Sequence, residues 1–568
     1  MPTKQDFNRF VKNPVSVDIT RSRFKLNSRR LTTFNSGELV PLKKWDILPG
    51  DTFSIDFAHV CRMRTPLFPV MDNAFLDVFF FFVPHRLAWN HWQQFFGEPE
   101  PDAYEDPTEY SVPQMSLANG VGKGSVLNQL GIPEGDATKY ANTEVSALYC
   151  REYALIWNEW FRDQNTMQSV SVPLGDATVT ALNQSNASTW FNLPDADIVT
   201  QGAYGGMPLP VCKLHDLFTS ALPSSQKGPA VTIPLGDSAP VYGNGLPIQV
   251  KADNDDNAKN IYLGPDRDSS GYTPLTIYKE PTGTRDTVRF PTKEQMENGV
   301  GANFMYADLG LATAATINSL RQAFQLQKLY ERTARGGSRY IEYIHSAFGV
   351  TSPDARMQRP EYLYGHRFPI TMAQVVQTSA TVQDVSPQGN TAAYSLTQGK
   401  DSAFTKSFTE HGTVFCLACV RTDHTYQQGI NKHWFKKSKF DFYDPIFANL
   451  GEEPILNREL FVTGNAEKDI EGFGYQEHWY EYRFDPSYIS GELSSLYSQP
   501  EDQWHYGDYF TEMPTLSPEF MAETRENVDR TLAVASSTAD QFKIDVFFDV
   551  TAVRPMPLYS VPGLIDHH

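Results

Sequence analysis

Cys416 and Cys419 stand in "FCLACV", a C-x-x-C spacing that in other settings holds zinc or a redox disulfide. Zinc needs a second close ligand pair, and Cys61, Cys150 and Cys212 are scattered singly. On a strand, residues three apart point to opposite faces, so the two thiols would diverge into separate packing layers. Core cysteines are therefore expected. "GVGKGS" around Lys123 approaches a phosphate-binding loop but fails its pattern. Gly124 follows the lysine in place of Ser or Thr, and Leu117 fills the first glycine position. His85 and His91 sit among aromatic residues and His478 precedes Trp479, none in a metal spacing. These histidines read as packed or interface groups. "ARGGSR" at Ala334–Arg339 reads as the stop of a helix in preference to a nucleic-acid RGG element. The sequons at Asn183 and Asn186 have no meaning without secretion. No pair of carboxylates stands out as a general acid and base. The expectation is a protein with no catalytic constellation, no metal site and no cofactor.

What the elements must position instead follows from composition. The 568 residues are 40% apolar and 13% aromatic, with 27 Tyr and 37 Phe, which favours β-rich structure over a helical bundle. With 37 Gly, 38 Pro and only 20% charged residues, the chain reads as globular and loop-heavy. "MPTKQDFNRFVKNP" lacks the apolar stretch of a secretory signal, and the five sparse cysteines suit a reducing compartment. Net charge is −19, but it is unevenly spread. Residues 1–44 hold ten Lys or Arg against Asp6, Asp18 and Glu38, a net +7 that leaves −26 for the remainder. A basic arm on an acidic body suggests either an anionic partner for the arm or a solvated tail.

The Pro-Gly turn in "LPGDTFSIDFAHV" opens an alternating run in which Phe53, Ile55 and Phe57 share one face, the signature of a half-buried strand. The next segment, "NAFLDVFFFFVPHRLAW", is different. Val78 to Val83 is an unbroken apolar run between Asp77 and Pro84. It is far too short for a bilayer, which needs about 20 residues. As a strand it needs cover on both faces, with Val78, Phe80 and Phe82 on one and Phe79, Phe81 and Val83 on the other. An inserted helix or loop is the expected lid, with a neighbouring subunit as the second choice.

"NTEVSALYCREYALIWNEWFRD" predicts a helix with Val145, Leu148, Leu155 and Ile156 on one stripe and Asn142 or Thr143 as cap. "TAATINSLRQAFQLQKLYERTARGG" predicts a second, with Ile317, Leu320 and Phe324 at helical spacing and a stop at Gly336 and Gly337. Of the 72 residues from Pro229 to Val300, 27 are Pro, Gly, Asp or Asn, which predicts a turn-rich excursion with short strands. Val382 to Lys400 reads as a polar, loop-like tract. Strands return in "GTVFCLACVRT", "EHWYEYRFDPSYI" and "QFKIDVFFDVTAVRP". Strands at both ends, with helices and long loops between, point to one β-domain with inflated connections.

Several blocks taken together resemble a known family. They are "RSRFKLNSRRLTTFNSGELVPL" with "ILPGDTF", "TPLFPVMDNAFLDVFFFFVPHRLAWNHWQQFFGE", "YALIWNEWFRDQN", "KLHDLFTSALPSSQKG", "YIEYIHSAFGVTSPDARMQRPEYL" and "RTDHTYQQGINKHW". In this order they resemble the major capsid protein of the microviruses, small bacteriophages with circular single-stranded DNA, on the gokushovirus side. The chain departs from the family's usual Trp-Pro at Ser224-Ser225.

The resemblance implies a mainly β fold: an eight-stranded viral jelly-roll, a β-sandwich or barrel, with large helix- and loop-containing insertions between strands. It implies a basic N-terminal arm over 1–44 and a single jelly-roll capsid domain over 45–568, with 229–300 as an insertion protruding at each threefold axis. About sixty copies would close a T=1 icosahedral shell. The arm would face inward and neutralise phosphates without base readout, with Arg21, Arg23, Lys25, Arg29 and Arg30 as the expected DNA-binding residues. The further partners implied are an internal scaffolding protein, a minor or pilot protein, a small basic DNA-binding protein and a receptor on the bacterial host surface. The implied location is the virion shell, assembled in the host cytoplasm. A glycan-binding jelly-roll lectin and a hydrolase remain as rival readings.

Overall fold

A computed structural model of the chain describes residues 20–98, 109–186, 190, 199–229, 231, 241–243, 248–250, 259–261, 305–307, 317–337, 339–376, 378 and 391–559. The chain divides into two compact units, Met1–Ser225 with Thr333–His568, and Gln226–Arg332.

The first unit is built on two antiparallel sheets. Sheet one takes β1 (Ser22–Lys25) and β2 (Ser28–Phe34), both paired with β9 (Phe542–Arg554), then β4 (Thr52–Met63) and β7 (Thr397–Ser407). Sheet two runs β6 (Glu361–Pro369), β5 (Ala74–Pro84), β8 (Gly412–Thr422) and β3 (Val40–Ile47). The expected alternation in β4 is met, with Phe53, Ile55 and Phe57 buried and Ser54, Asp56 and Ala58 half-exposed. These side chains join Phe542, Ile544, Val546 and Phe548 of β9 against Val78, Phe80 and Phe82 of β5, a continuous apolar layer between the sheets. The fold is a mainly β sandwich.

β5 and β8 are buried on both faces. Phe81 and Val83 enter a second apolar cluster on the far side of sheet two, with Phe79 packed at its margin. The lid is helix α1 (Leu148–Ile156) and the single π-helical turn that continues it, Trp157–Phe161. Phe81 lies 5.5 Å from the Trp160 ring and 5.8 Å from Phe161, and Phe79 lies 5.2 Å from Phe161. Two aromatic tips pin the lid, as buried polar tips require partners. The Tyr153 hydroxyl donates to the Leu39 carbonyl at 2.7 Å and accepts from the Leu209 amide at 2.9 Å. Trp157 Nε1 donates to the Pro210 carbonyl at 2.6 Å. The lid over Val78–Val83 is thus an inserted helix, as the two-faced run demanded.

The same two-sidedness decides the C-x-x-C. Cys416 faces the sandwich interior and Cys419 the lid side. Burial lifts both thiols, Cys419 to about 12, so neither is poised as a ligand or nucleophile.

A buried ion cluster ties the long loops together beside the end of β8. His424 Nδ1 lies 2.7 Å from Asp508 and its Nε2 2.8 Å from Glu523. Lys213 pairs with Asp508 at 3.3 Å, and Thr422 donates to Glu523 at 2.8 Å. Burial alone would lower the His424 imidazole, but Asp508 and then Glu523 outweigh it and lift it to about 10. Burial would raise the Asp508 carboxyl, yet His424 and Lys213 hold it far below its ordinary value. Close by, Gly37 takes φ +77° where the backbone of Glu523 approaches. A Cβ there would lie 2.3 Å from the Glu523 carbonyl oxygen.

Local expectations were met unevenly. The helix expected from Asn142 onward starts only at Leu148. Glu144–Ser146, Val145 included, is instead a short strand paired with Gln114–Ser116. "EHWYEYRFDPSYI" is not a strand; the strand is Gly472–Glu477, after which Trp479 takes φ +68° and Tyr480–Tyr482 forms a 3₁₀ turn. The tract read as loop to Lys400 contains Thr391–Ser395 and the start of β7, because its alternating Ala, Thr and Tyr suffice once partners are present. Of the second unit, Val241–Gly243 pairs with Met305–Ala307 and Ile248–Val250 with Lys259–Ile261. Most of helix α2 (Ile317–Arg335) also belongs there, ending at the expected stop before Gly336 and Gly337. The rest of the 229–300 excursion lies outside the described residues.

Two measurements test these assignments. Phe81→Ala is expected to destabilise the chain by about 3–5 kcal/mol, read from guanidinium unfolding, because the side chain is fully buried under the lid. His424 stays charged in the folded chain to about pH 10 but unfolded only to 6.5, so its contribution is full below 6.5 and is lost as pH rises to about 10. Asp508 behaves oppositely, contributing fully above 3.8 and losing its contribution in acid. The thermal unfolding midpoint should therefore fall on both flanks. His424→Gln, which removes the cation shared by two buried carboxylates, should cost about 3–5 kcal/mol at neutral pH and flatten the alkaline flank.

Candidate nucleic-acid interface

The basic segment is, from Ser22 onward, part of sheet one. Alternation along β1 and β2 and the register with β9 decide where each cation points. Arg23 and Lys25 stand opposite Val553 and Thr551, and Arg29 opposite Phe547, all on the exposed outer face. Arg30, one residue on, turns inward and donates through Nη2 to the Gln129 carbonyl at 2.8 Å; burial lowers its pKa. Arg21 precedes β1, exposed, with its guanidinium beside Gly50. Lys4, Arg9 and Lys12 lie outside the described residues.

Two of the outward cations are matched by carboxylates of β9. Lys25 Nζ lies 2.8 Å from Asp549, and Arg29 Nε donates to Asp545 at 2.7 Å. The hydrogen bond from Arg29 holds the Asp545 carboxyl below its ordinary range, and that from Lys25 does the same for Asp549. Sheet pairing also adds cations that the linear reading did not single out. Lys543 of β9 stands directly opposite Arg62 of β4, and Lys400 of β7 opposite Ala58. The alternation in "QFKIDVFFDV" and "AHVCRM" assigns each to a polar face. Their adjacency is a matter of register between segments hundreds of residues apart.

The other candidate motifs resolve into structure. Lys123 of "GVGKGS" pairs with Asp540 at 3.1 Å, and Ser125 caps the turn Val126–Gln129 through the Asn128 amide. His85 meets buried Glu152 at 2.6 Å, His91 meets Asp176 at 2.9 Å, and His478 meets Glu453 at 3.3 Å. Helix α2 ends within "ARGGSR", where Gly337 takes φ +91° and Arg335 pairs with Glu477 at 2.5 Å. Asn186 is buried and donates to Asp540 at 3.3 Å. A cleft of about 940 Å³ is lined by Trp434, Tyr480, Phe484 and Tyr488. Two buried carboxylates line it: Glu459, raised by burial, accepts the Tyr480 hydroxyl at 2.6 Å, and Glu481 pairs with Lys436 at 3.1 Å. Among the described residues no group of three His, Cys, Asp or Glu could hold a metal ion, and no helix is long and apolar enough to cross a membrane.

Comparison with known proteins places the chain in a family. The capsid protein (F protein) family matches residues 13–564. Capsid protein VP1 of Bdellovibrio phage phiMH2K is 40% identical over 563 residues, covering 96% of each chain. Capsid protein VP1 of Spiroplasma virus 4 is 36% identical over 571 residues, 98% of this chain and 97% of the relative. That of Chlamydia phage 1 is 37% identical over 597 residues, 98% of both. The chain belongs to the capsid protein (F protein) family of the microviruses, and its role is structural and not enzymatic.

Proposed function

We propose that the chain is the repeating unit of a closed T=1 icosahedral shell of about sixty copies around circular single-stranded DNA. The observation that carries this reading is a protomer that leaves large apolar side chains in water. Trp434, Ile446 and Tyr488 are 82%, 86% and 83% exposed, and Phe440 and Phe442 lie exposed beside them. Trp434, Phe440 and Ile446 sit on 3₁₀ turns capped by Asn431, Ser438 and Asp444, so they are presented on ordered backbone. An apolar surface of this kind on a capsid protein suits contact with neighbouring copies. The two sheets suit an eight-stranded jelly-roll, counting β1 and β2 as one interrupted strand against β9, with the remaining segments as insertions. On this reading the exposed cations of the basic arm, up to Arg29, contact the genome, and 229–300 forms the threefold protrusion that meets a receptor on the host surface. Assembly takes place in the host cytoplasm with an internal scaffolding protein, a pilot protein and a small basic DNA-binding protein.

Electron microscopy of the purified protein should show shells roughly 250–300 Å across, from packing about sixty subunits around a genome at interior-like density. A lectin-like or hydrolytic protein would give only small discrete particles. Trp434→Asp with Ile446→Asp should abolish shells while leaving far-ultraviolet circular dichroism unchanged. Neutralising Lys4, Arg9, Lys12, Arg21 and Arg23 together should leave shells intact and lower the DNA packaged per particle. Undiminished DNA content would remove the genome-binding role of the arm.

A further inference from the structure

The two sheets of the sandwich are unequally covered. Sheet two is roofed by α1, whereas the outer face of sheet one carries Arg23, Lys25, Arg29, Leu31, Val60, Arg62, Lys400, Lys543 and Phe547 in partial or full exposure. The register arranges this face in rows. One row sets Thr33, Lys543 and Arg62 side by side; the second below it sets Arg29, Phe547, Ala58 and Lys400.

Like charges directly opposite on neighbouring strands destabilise a sheet. Lys543 and Arg62 are such a pair. Both are exposed, and neither makes an ion pair among the described residues. Directly opposed side chains have Cβ atoms about 4.5–5.5 Å apart, close enough for an ammonium and a guanidinium to hold one anion between them. The carboxylates on the face are already engaged: Asp545 by Arg29, Asp549 by Lys25, and Asp56 by the Ser402 hydroxyl at 2.5 Å. Among the described residues six cations (Arg23, Lys25, Arg29, Arg62, Lys400, Lys543) outnumber these three carboxylates, so the face is net positive on a chain of charge −19. Phe547, 47% exposed, and Leu31, 67% exposed, add apolar surface beside the cations. Cations flanking an aromatic plate suit an unpaired strand, whose bases stack while its phosphates are neutralised without sequence readout. A protein partner is less well served here, since the apolar side chains are separated by charge, while the larger exposed apolar groups lie on the loops around Trp434 and Ile446.

We propose that the outer face of sheet one is a binding surface for the enclosed single-stranded DNA, with Arg62 and Lys543 holding one phosphate and Phe547 stacking on a base. This rests on the reading of the chain as a DNA-enclosing capsid protein and moves the contact from the arm alone to the body of the sandwich. Arg62→Gln with Lys543→Gln should lower the DNA packaged per shell. In unassembled full-length protein it should also weaken binding of a thirty-residue oligothymidylate about tenfold, and reduce the slope of log K against log salt by about 0.7. The charge-conserving pair Arg62→Lys with Lys543→Arg should restore both readings. Phe547→Ala should weaken oligothymidylate binding about tenfold without changing the salt slope. Unchanged affinity and slope in the glutamine variant would overturn the proposal. So would failed shell assembly with oligothymidylate binding intact, which would make the face a protein contact. If neutralising the arm depletes DNA and the glutamine pair does not, the capsid reading stands and this one falls. If neither depletes DNA, this proposal and the genome-binding role of the arm both fall, and the shell, read by electron microscopy, is untouched.

Discussion

A strand apolar on both faces cannot be finished by a sandwich, and sheet two has two such strands side by side. β5 and β8 each offer one face to sheet one and the other to whatever the chain can bring over it. Each Phe left in water would forfeit roughly 1.5–3 kcal/mol. The insertion between β5 and β6 therefore does structural work before any other: it delivers α1 and its π-helical turn onto Phe79, Phe81, Leu417 and Cys419. The hydroxyl of Tyr153 and the indole of Trp157 then couple that lid to β3 and to the loop through Leu209 and Pro210. Among the described residues the outer face of sheet one keeps partial or full exposure, and the asymmetry separates a dry side from a charged, wetted one.

Charge follows the same division. Inside, Asp77 is held by Arg367 at 2.7 Å and by Arg421 at 2.8 Å, and His424 lies between two carboxylates. Buried ion clusters contribute little net stability against an apolar alternative, but removing one member is costly, so they hold loops in a single arrangement. Here they lock the segments around Lys213, Asp508 and Glu523 to the end of β8. Outside, the cations of β1 and β2 meet the carboxylates of β9, whereas the pair Lys543 and Arg62, at the end of the two middle strands, meets none among the described residues. A capsid protein needs both qualities: fixed loops that present the same apolar groups to every neighbour, and a surface tolerant of any nucleic-acid sequence.

Much of this was legible in the residues. Alternation predicted β4, the unbroken apolar run predicted a two-faced strand with a lid, and period-three reasoning sent Cys416 and Cys419 to opposite layers. These succeed because side-chain direction on a strand is a local property. Local pattern misled where a neighbour decides the outcome. Val145 has a helical neighbourhood yet pairs with Met115, and the weakly patterned residues from Thr391 become strand once β4 and Met372–Val376 are present. The basic segment was read as an arm from its charge, but Ser22–Phe34 is sheet edge because the last strand of the chain lies beside it.

By itself, then, the sequence determined the β character, the need for a lid and the uneven charge, all of which depend on residue type and short-range period. Only the tertiary structure decided which cations share a surface. Arg29 and Arg30 are adjacent in sequence and point to opposite sides of a sheet. Arg62 and Lys543 are 481 positions apart and stand opposite each other. Register between distant strands is set by the packing of their buried faces, and the exposed faces inherit whatever neighbours that packing brings together.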